Sequence, residues 1–385
     1  MSSAALASVQ TIFYLPTELI TLMVKHLCDA DLYALTCVSH HMASIACPLY
    51  LARIGLIPSQ HSNTLCPSRD GFKALGIWLR SPGFSPSDQL SCTFSFNPQR
   101  ATTEMAYLRK FLDSLPPHPR PFFPCVHLIH VNAGSLRDLL TFVQYAVLLT
   151  GCSDLVLSDV AYEEPRGRGM GVAGKDTRAP PIMVLPSLQC FKLTHFDASP
   201  LQWVAFLSSV HFPSLHSLDI SGASSICAIF DFLDQHPTVR VLRFLKCSWK
   251  DIPSSSRQLG LPLLHALQGY PHQILFLLRV IASPPVLSNL VIEACPPTRA
   301  QCDPLVDQVM EILTMCQGPL SFQIVLVKEA CMAKPTDAHA LVARKLCSSS
   351  LAFVSSLRIV FLGMREIIPV SIFVYFLFMT LHWYG

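Results

Sequence analysis

The sequence predicts an α/β chain in two unequal parts: a small helical module at the N-terminus, then a solenoid of strand and helix units sharing one parallel sheet. Three observations carry this. Apolar residues recur at helical spacing in two short segments between Tyr14 and Ile45. Past residue 120, a proline is repeatedly followed by apolar residues two, five and seven places later. Finally, 51% of the 385 residues are hydrophobic, enough for a large core, and the length gives a prior of two or three domains.

The helical module covers residues 1–56. In "YLPTELITLMVKHL", Leu19, Leu22, Met23 and Leu27 share helical spacing, with Pro16 tolerated in the first turn and Glu18 near the positive helix end. In the next segment Leu32, Leu35, Val38, Met42 and Ile45 do the same. "CDAD" between them makes a tight connection in which Asp29 or Asp31 is suited to cap the second helix. Some fifty residues are too few for a roomy core, so these apolar faces call for an outside partner. Residues 57–100, dense in Ser, Pro and Gly, read as a linker with one short helix around Phe72 to Leu79.

Residues 101–366 form the repeat region, opened by a helix from Ala101 that caps the first unit. Pro124 leads to Val126, Ile129 and Val131; Pro186 to Leu188, Phe191 and Leu193; Pro213 to Leu215, Leu218 and Ile220. Pro237 leads to Val239, Leu242 and Phe244, and Pro285 to Leu287, Leu290 and Ile292. Pro262 starts a weaker copy in which Gly269 takes the last apolar place. The spacing recurs without proline at Cys152, Leu155 and Leu157 and at Val354, Leu357 and Ile359. From Pro186 the prolines lie 27, 24, 25 and 23 residues apart, a solenoid period. Places five and seven share one face of a short strand, because side chains alternate. Helical stretches from Ser135, Ser199, Ser224 and Asp303 begin with suitable caps, and no unit buries its apolar face alone.

The tail, residues 367–385, holds no Asp, Glu, Lys or Arg between Ile367 and Tyr384. Three readings stay open for it: a membrane anchor, the last buried element of the repeats, or a truncated or mis-spliced end. The formal charge of +3 directs the chain neither to nucleic acid nor to an anionic surface. Fifteen cysteines with no C-x-x-C pair read as reduced, mostly buried thiols. With no basic residue before Lys25, a secretory signal is not expected, and the compartment expected is cytoplasmic or nuclear, with membrane association through the tail left open.

The N-terminal stretch resembles an F-box: Leu15 and Pro16, Glu18 and Leu19, Leu27, Asp31 and Leu32, Leu35, Val38 and Ser39 fall in that family's order and spacing, followed by "ACPLYLARIGL" as a third helix. Met42 stands where the family often has an aromatic residue. The repeats resemble degenerate leucine-rich repeats, "FPSLHSLDISG" being nearest to the L-x-x-L-x-L core, although Asn or Cys is not regularly present at the ladder position. Together they resemble the fungal-type F-box proteins with leucine-rich repeats. The resemblance implies a non-enzymatic substrate receptor of a Skp–cullin–F-box ubiquitin ligase, with a Skp-family adaptor, and through it cullin, as partners. Adaptor contact is implied for Leu15, Pro16, Leu19, Ile20, Leu27, Leu32, Leu35, Val38 and Met42. An unidentified protein substrate is implied on the repeats, where His216, Asp219, Arg240 and Arg243 are the candidate polar positions. The alternative is a repeat scaffold without ubiquitin chemistry, tethered to a membrane by its tail in one version.

Two stretches imitate chemistry. "GMGVAGKD", Gly169 to Asp176, approaches a P-loop, but Asp176 stands where magnesium needs Ser or Thr, and Pro180, Pro181 and Pro186 forbid the following helix. It reads as a surface insertion. "CVHLIH" gathers Cys125, His127 and His130, yet on a strand 125 and 127 share a face that 130 does not, so the three do not converge on a metal. No cofactor, metal or catalytic set is expected.

Overall fold

The computed structural model describes residues 15–54, 63–65, 69, 72–73, 75–76, 92–114, 123–163, 182–196, 198–245, 247, 258–283, 285–294, 302–316, 320–327 and 354–362. The P-loop-like stretch at 169–176 and the tail at 367–385 lie outside the described residues. The chain divides into two compact units, Met1–Ala179 and Pro180–Gly385. Both are α/β with parallel strands.

The first unit begins with helices α1 (Thr17–Val24), α2 (Asp29–Thr36) and α3 (His40–Arg53). Ile20 and Val24 from α1, Leu32 from α2, and Met42, Ala46, Cys47, Tyr50 and Leu51 from α3 form their common core. The Ser39 hydroxyl starts α3 by accepting the Met42 N–H at 3.2 Å. The aspartate cap expected on α2 is absent: Cys28 holds that position, and Asp29 turns to Arg53 instead. Arg53 donates to the carbonyls of Lys25 and Leu27, both at 2.7 Å, and to Asp29 at 3.0 Å. One guanidinium thereby satisfies carbonyls left open at the end of α1 and ties the α1–α2 turn to the end of α3.

Residues 57–100, read as linker, contribute two strands, β1 (Asn63–Leu65) and β2 (Cys92–Ser95). They pair in parallel with each other and then with β3 (Cys125–Ile129) and β4 (Asp154–Ser158), in chain order. Helix α4 (Ala101–Asp113) connects β2 to β3, and α5 (Leu136–Thr150) connects β3 to β4. The register aligns Cys92, Val126 and Leu155, and two places on Phe94, Leu128 and Leu157, all buried. This corrects the phase of one repeat. Its apolar set is Phe123, Val126 and Leu128, counted from Pro121 rather than Pro124, and Ile129 is only half-buried.

The second unit continues the pattern with β5 (Cys190–Thr194), β6 (Ser217–Ser221), β7 (Val241–Leu245), β8 (Ala266–Gly269), β9 (Asn289–Ala294), β10 (Leu320–Val327) and β11 (Val354–Leu362). Every neighbouring pair is parallel and consecutive. Phe191, Leu218, Leu242, Leu267, Leu290 and Phe322 lie side by side in one buried row. Leu193, Ile220, Phe244, Gly269, Ile292 and Ile324 make the next. Gly269 breaks the apolar pattern because a Cβ there would sit 3.3 Å from the Phe244 carbonyl oxygen. Strand β10 went unrecognised in the sequence, since Pro319 stands three rather than five places before Phe322.

Helices α6 (Pro200–Ser208), α7 (Ile226–Asp234), α8 (Pro271–Val280) and α9 (Cys302–Met315) fall between strands. Ser199 and Gln202 form a reciprocal capping box on α6, and Ser225 caps α7. Each of β3, β4, β5 and β6 is followed by a left-handed residue, His130, Asp159, His195 and Gly222 respectively, and then by buried Val131, Val160, Phe196 or Ala223. These four strands therefore share one turn out of the sheet, whereas Tyr270, directly after β8, keeps a φ of −75°.

Buried polar groups join successive units. The His236 Nε2 accepts the Phe212 N–H at 2.9 Å while Nδ1 lies 2.5 Å from the Phe232 carbonyl, which assigns the proton to Nδ1. Gln273 donates to the Cys247 carbonyl at 3.0 Å and accepts from the Tyr270 N–H at 3.1 Å. Cysteines 47, 92, 152, 247 and 316 are buried thiols, whereas Cys28 and Cys37 are exposed. Burial pushes Cys152 up to about 12 and Cys247 and Cys316 up to about 11, so these pack as apolar groups.

Burial, against the opposing Phe232 carbonyl and with help from His211, holds His236 down to about 4. An unfolded histidine titrates near 6.5, so the unfolded chain takes up the proton first and stability falls as pH drops from about 6.5 towards 4. The expected contribution at pH 4.5 is roughly 2 to 3 kcal/mol, read as a smaller acid-induced drop in urea midpoint for His236→Gln than for the native chain. Gly222 has φ +79° with open space around its Cβ direction, so Gly222→Val isolates the backbone cost. That variant is expected to lose about 1 to 2 kcal/mol in denaturant unfolding.

Candidate functional site

Helix α1 is apolar on more than one side. Ile20 and Val24 point into the module, while Leu19, Leu22 and Met23 are 47%, 54% and 58% exposed. Val38, in the α2–α3 turn, is 61% exposed. Among the other described residues the large exposed apolar side chains stand singly or in pairs, as Leu201 and Val204 do on α6. Three such residues within one eight-residue helix leave an apolar face that folding of the module does not use.

The nine residues implied in adaptor contact separate by burial. Pro16, Leu19 and Val38 are exposed, and Leu15, Leu27 and Leu35 are half-exposed. Ile20, Leu32 and Met42 are buried at 3%, 0% and 6% exposure, so in this structure their side chains fill the core of the module. Leu22 and Met23 belong to the exposed face instead. Their helical spacing was visible in the sequence, but spacing does not say which side of an all-round apolar helix faces inward.

The second candidate surface is the sheet face opposite the buried rows of the second unit. Lys192, Asp219, Arg243, Gln268 and Val291 lie in register across β5 to β9. The Lys192 Nζ is 3.1 Å from Asp219 Oδ2, and Gln268 donates to Glu293 Oε1 at 2.6 Å. Asp219 keeps only 8% of its side chain exposed, and its Oδ1 is buried without a hydrogen-bond partner. Arg243 is exposed on the adjacent strand. Asp219 and Arg243 are thus brought together. His216 and Arg240 stand apart from them, just before β6 and β7, where each backbone carbonyl accepts two N–H groups from the next unit. A depression of about 40 Å³ over Arg243 and Gln268 is too small for a drug-sized ligand.

His127 and His130 take separate partners, Ser158 Oγ at 2.9 Å and Asp159 Oδ2 at 3.7 Å. Among the described residues no cluster of His, Cys, Asp and Glu is placed to hold a metal ion, and no helix is long and apolar enough to cross a membrane. No protein-family model matches the chain, and comparison with curated proteins finds no match.

The burial difference within the module is directly measurable. Leu32→Asp places a carboxylate in the core and is expected to cost about 3 kcal/mol or more, seen as accelerated hydrogen exchange across residues 15–54. Leu22→Asp on the exposed face is expected to stay within about 0.5 kcal/mol of the native chain in the same measurement.

Proposed function

We propose that the chain is the substrate-receptor subunit of a Skp–cullin–F-box ubiquitin ligase, with residues 1–56 as the F-box and the strand–helix units as degenerate leucine-rich repeats. The observation that carries this reading is the apolar face of Leu19, Leu22 and Met23, together with Val38, left in solvent by a module whose core is already filled. Covering four such side chains contributes on the order of 1 kcal/mol each, as an amphipathic helix does on seating in a groove. The adaptor then links the chain to cullin, in the cytoplasm or nucleus. The chain itself does no chemistry and needs no cofactor; it contributes to rate by holding a protein substrate in position. That substrate contacts the polar sheet face, with Asp219 and Arg243 central and His216 and Arg240 at its margin.

Co-purification of the tagged full chain with a Skp-family adaptor tests this. Native capture that is reduced at least about a hundredfold by Leu22→Asp combined with Val38→Asp, with hydrogen exchange of the module unchanged, is the expected outcome. Capture that survives the double variant removes this face from the interface. Failure of the native chain to bind any such adaptor overturns the ligase assignment.

A further inference from the structure

At the N-terminal edge of the second unit's sheet one backbone arrangement recurs. Gln189, His216, Arg240 and His265 hold the same place in successive repeats, each carbonyl accepting two N–H groups from the next repeat at 2.8 to 3.1 Å. Their side chains therefore leave the edge at matched positions about 4.8 Å apart, the spacing of neighbouring strands. Arg240 and His265 are exposed and His216 is half-exposed; Arg243, three places further along β7, is exposed as well. Among the described residues, none of His216, Arg240, Arg243 and His265 has a side-chain hydrogen bond or ion pair. The carboxylates described on the same face are engaged, Asp219 by Lys192 at 3.1 Å and Glu293 by Gln268 at 2.6 Å. What the edge leaves free is basic.

Beside this column the surface turns apolar. Leu263 and Val286, each following the proline of its repeat, are 47% and 65% exposed and stand two residues ahead of His265 and Ser288. A small free anion would stay in solvent here, since the nearby depression holds only about 40 Å³, and isolated charge pairs in solvent contribute little. An extended protein segment meets several of these groups at once. Its alternate side chains lie about 7 Å apart, so two carboxylates fit within the roughly 10 Å spanned by His216, Arg240 and His265. We propose that this edge docks an acidic, extended segment of the substrate protein, its carboxylates on His216, Arg240 and His265 and a neighbouring apolar side chain on Leu263 and Val286. The Arg240 guanidinium donates to both oxygens of one carboxylate, and the flanking imidazoles donate to its neighbours. Nucleic acid fits less well, because the basic field is small in a chain of net charge +3 and a phosphate backbone has no counterpart for the apolar pair. That chemistry rests on this face being the substrate surface, as read above, and not on adaptor docking.

The test is titration of a labelled synthetic peptide with the full chain, the peptide carrying two aspartates at alternate places and a leucine beside them. Saturable binding at or below about 1 mM, at least about tenfold weaker when asparagine replaces both aspartates and falling with added salt, is expected. Arg240→Gln with His265→Gln, both exposed positions, should weaken binding at least about tenfold at an unchanged unfolding midpoint, whereas Arg137→Gln, exposed on α5, should not. Arg240→Glu alone should weaken it as much, and Leu263→Ser at least about threefold. The proposal is overturned if the native chain does not bind the acidic peptide at about 1 mM, if the asparagine peptide binds as tightly, or if the folded variants bind unchanged. A phosphoserine version of the peptide binding at least about tenfold tighter overturns the carboxylate assignment, and an oligouridylate binding as tightly overturns the choice of a protein partner. Adaptor capture by the same variants separates the two readings: peptide binding lost with capture intact fails this inference alone, and capture absent with peptide binding intact fails the ligase reading alone.

Discussion

In the second unit, the apolar side chain at the middle of a strand packs beside its counterparts on the strands to either side, and Phe191 also meets Phe206 of α6 and Phe212. Phe191, Leu218, Leu242, Leu267, Leu290 and Phe322 are brought level by parallel ladders, and a slip of one residue in any ladder would carry a whole strand's apolar set to the polar face. Everything else serves that alignment. Helices return the chain to the start of the next strand, and the left-handed residues at 130, 159, 195 and 222 turn it out at a constant place. The carbonyls of Gln189, His216, Arg240 and His265 each take two N–H groups from the next repeat, fixing the starts of β6, β7, β8 and β9. His236 and Gln273 satisfy backbone groups between units that apolar neighbours would leave open.

The helical module obeys a different constraint. With so few residues, its interior is filled by one or two side chains from each of α1 and α2 against a longer α3, and Arg53 supplies what the core cannot by closing the α1–α2 turn. Having spent Ile20 and Val24 inward, α1 still carries leucine and methionine outward. That division separates residues needed for folding from residues available for contact, and it lets the two be altered independently.

Much of the repeat was legible because burial repeats with the chain: places two, five and seven mark the same three contacts in unit after unit. The misreading near residue 124 came from two prolines three places apart, which offer two rulers for one strand; only pairing with Leu155 and Leu157 chooses between them. Strands β1 and β2 were hidden in Ser- and Pro-rich sequence because a three- or four-residue strand has too few letters to show a period. Asp219 and Arg243 could be named as polar residues within strands, but their adjacency, and the burial of Asp219, depend on register that no single strand encodes.

The consecutive order of the strands has a kinetic meaning. In the proline-led units the nearest partners in the sheet lie only 23 to 27 residues apart along the chain, so joining them closes a short loop at modest entropic cost, and each completed pair offers an edge on which the next can form. Assembly can start wherever two adjacent units first meet and spread outward, without waiting for distant segments to find each other. The same locality means that damage travels poorly: a defect in one unit loosens its immediate neighbours first, leaving more remote units able to retain their structure.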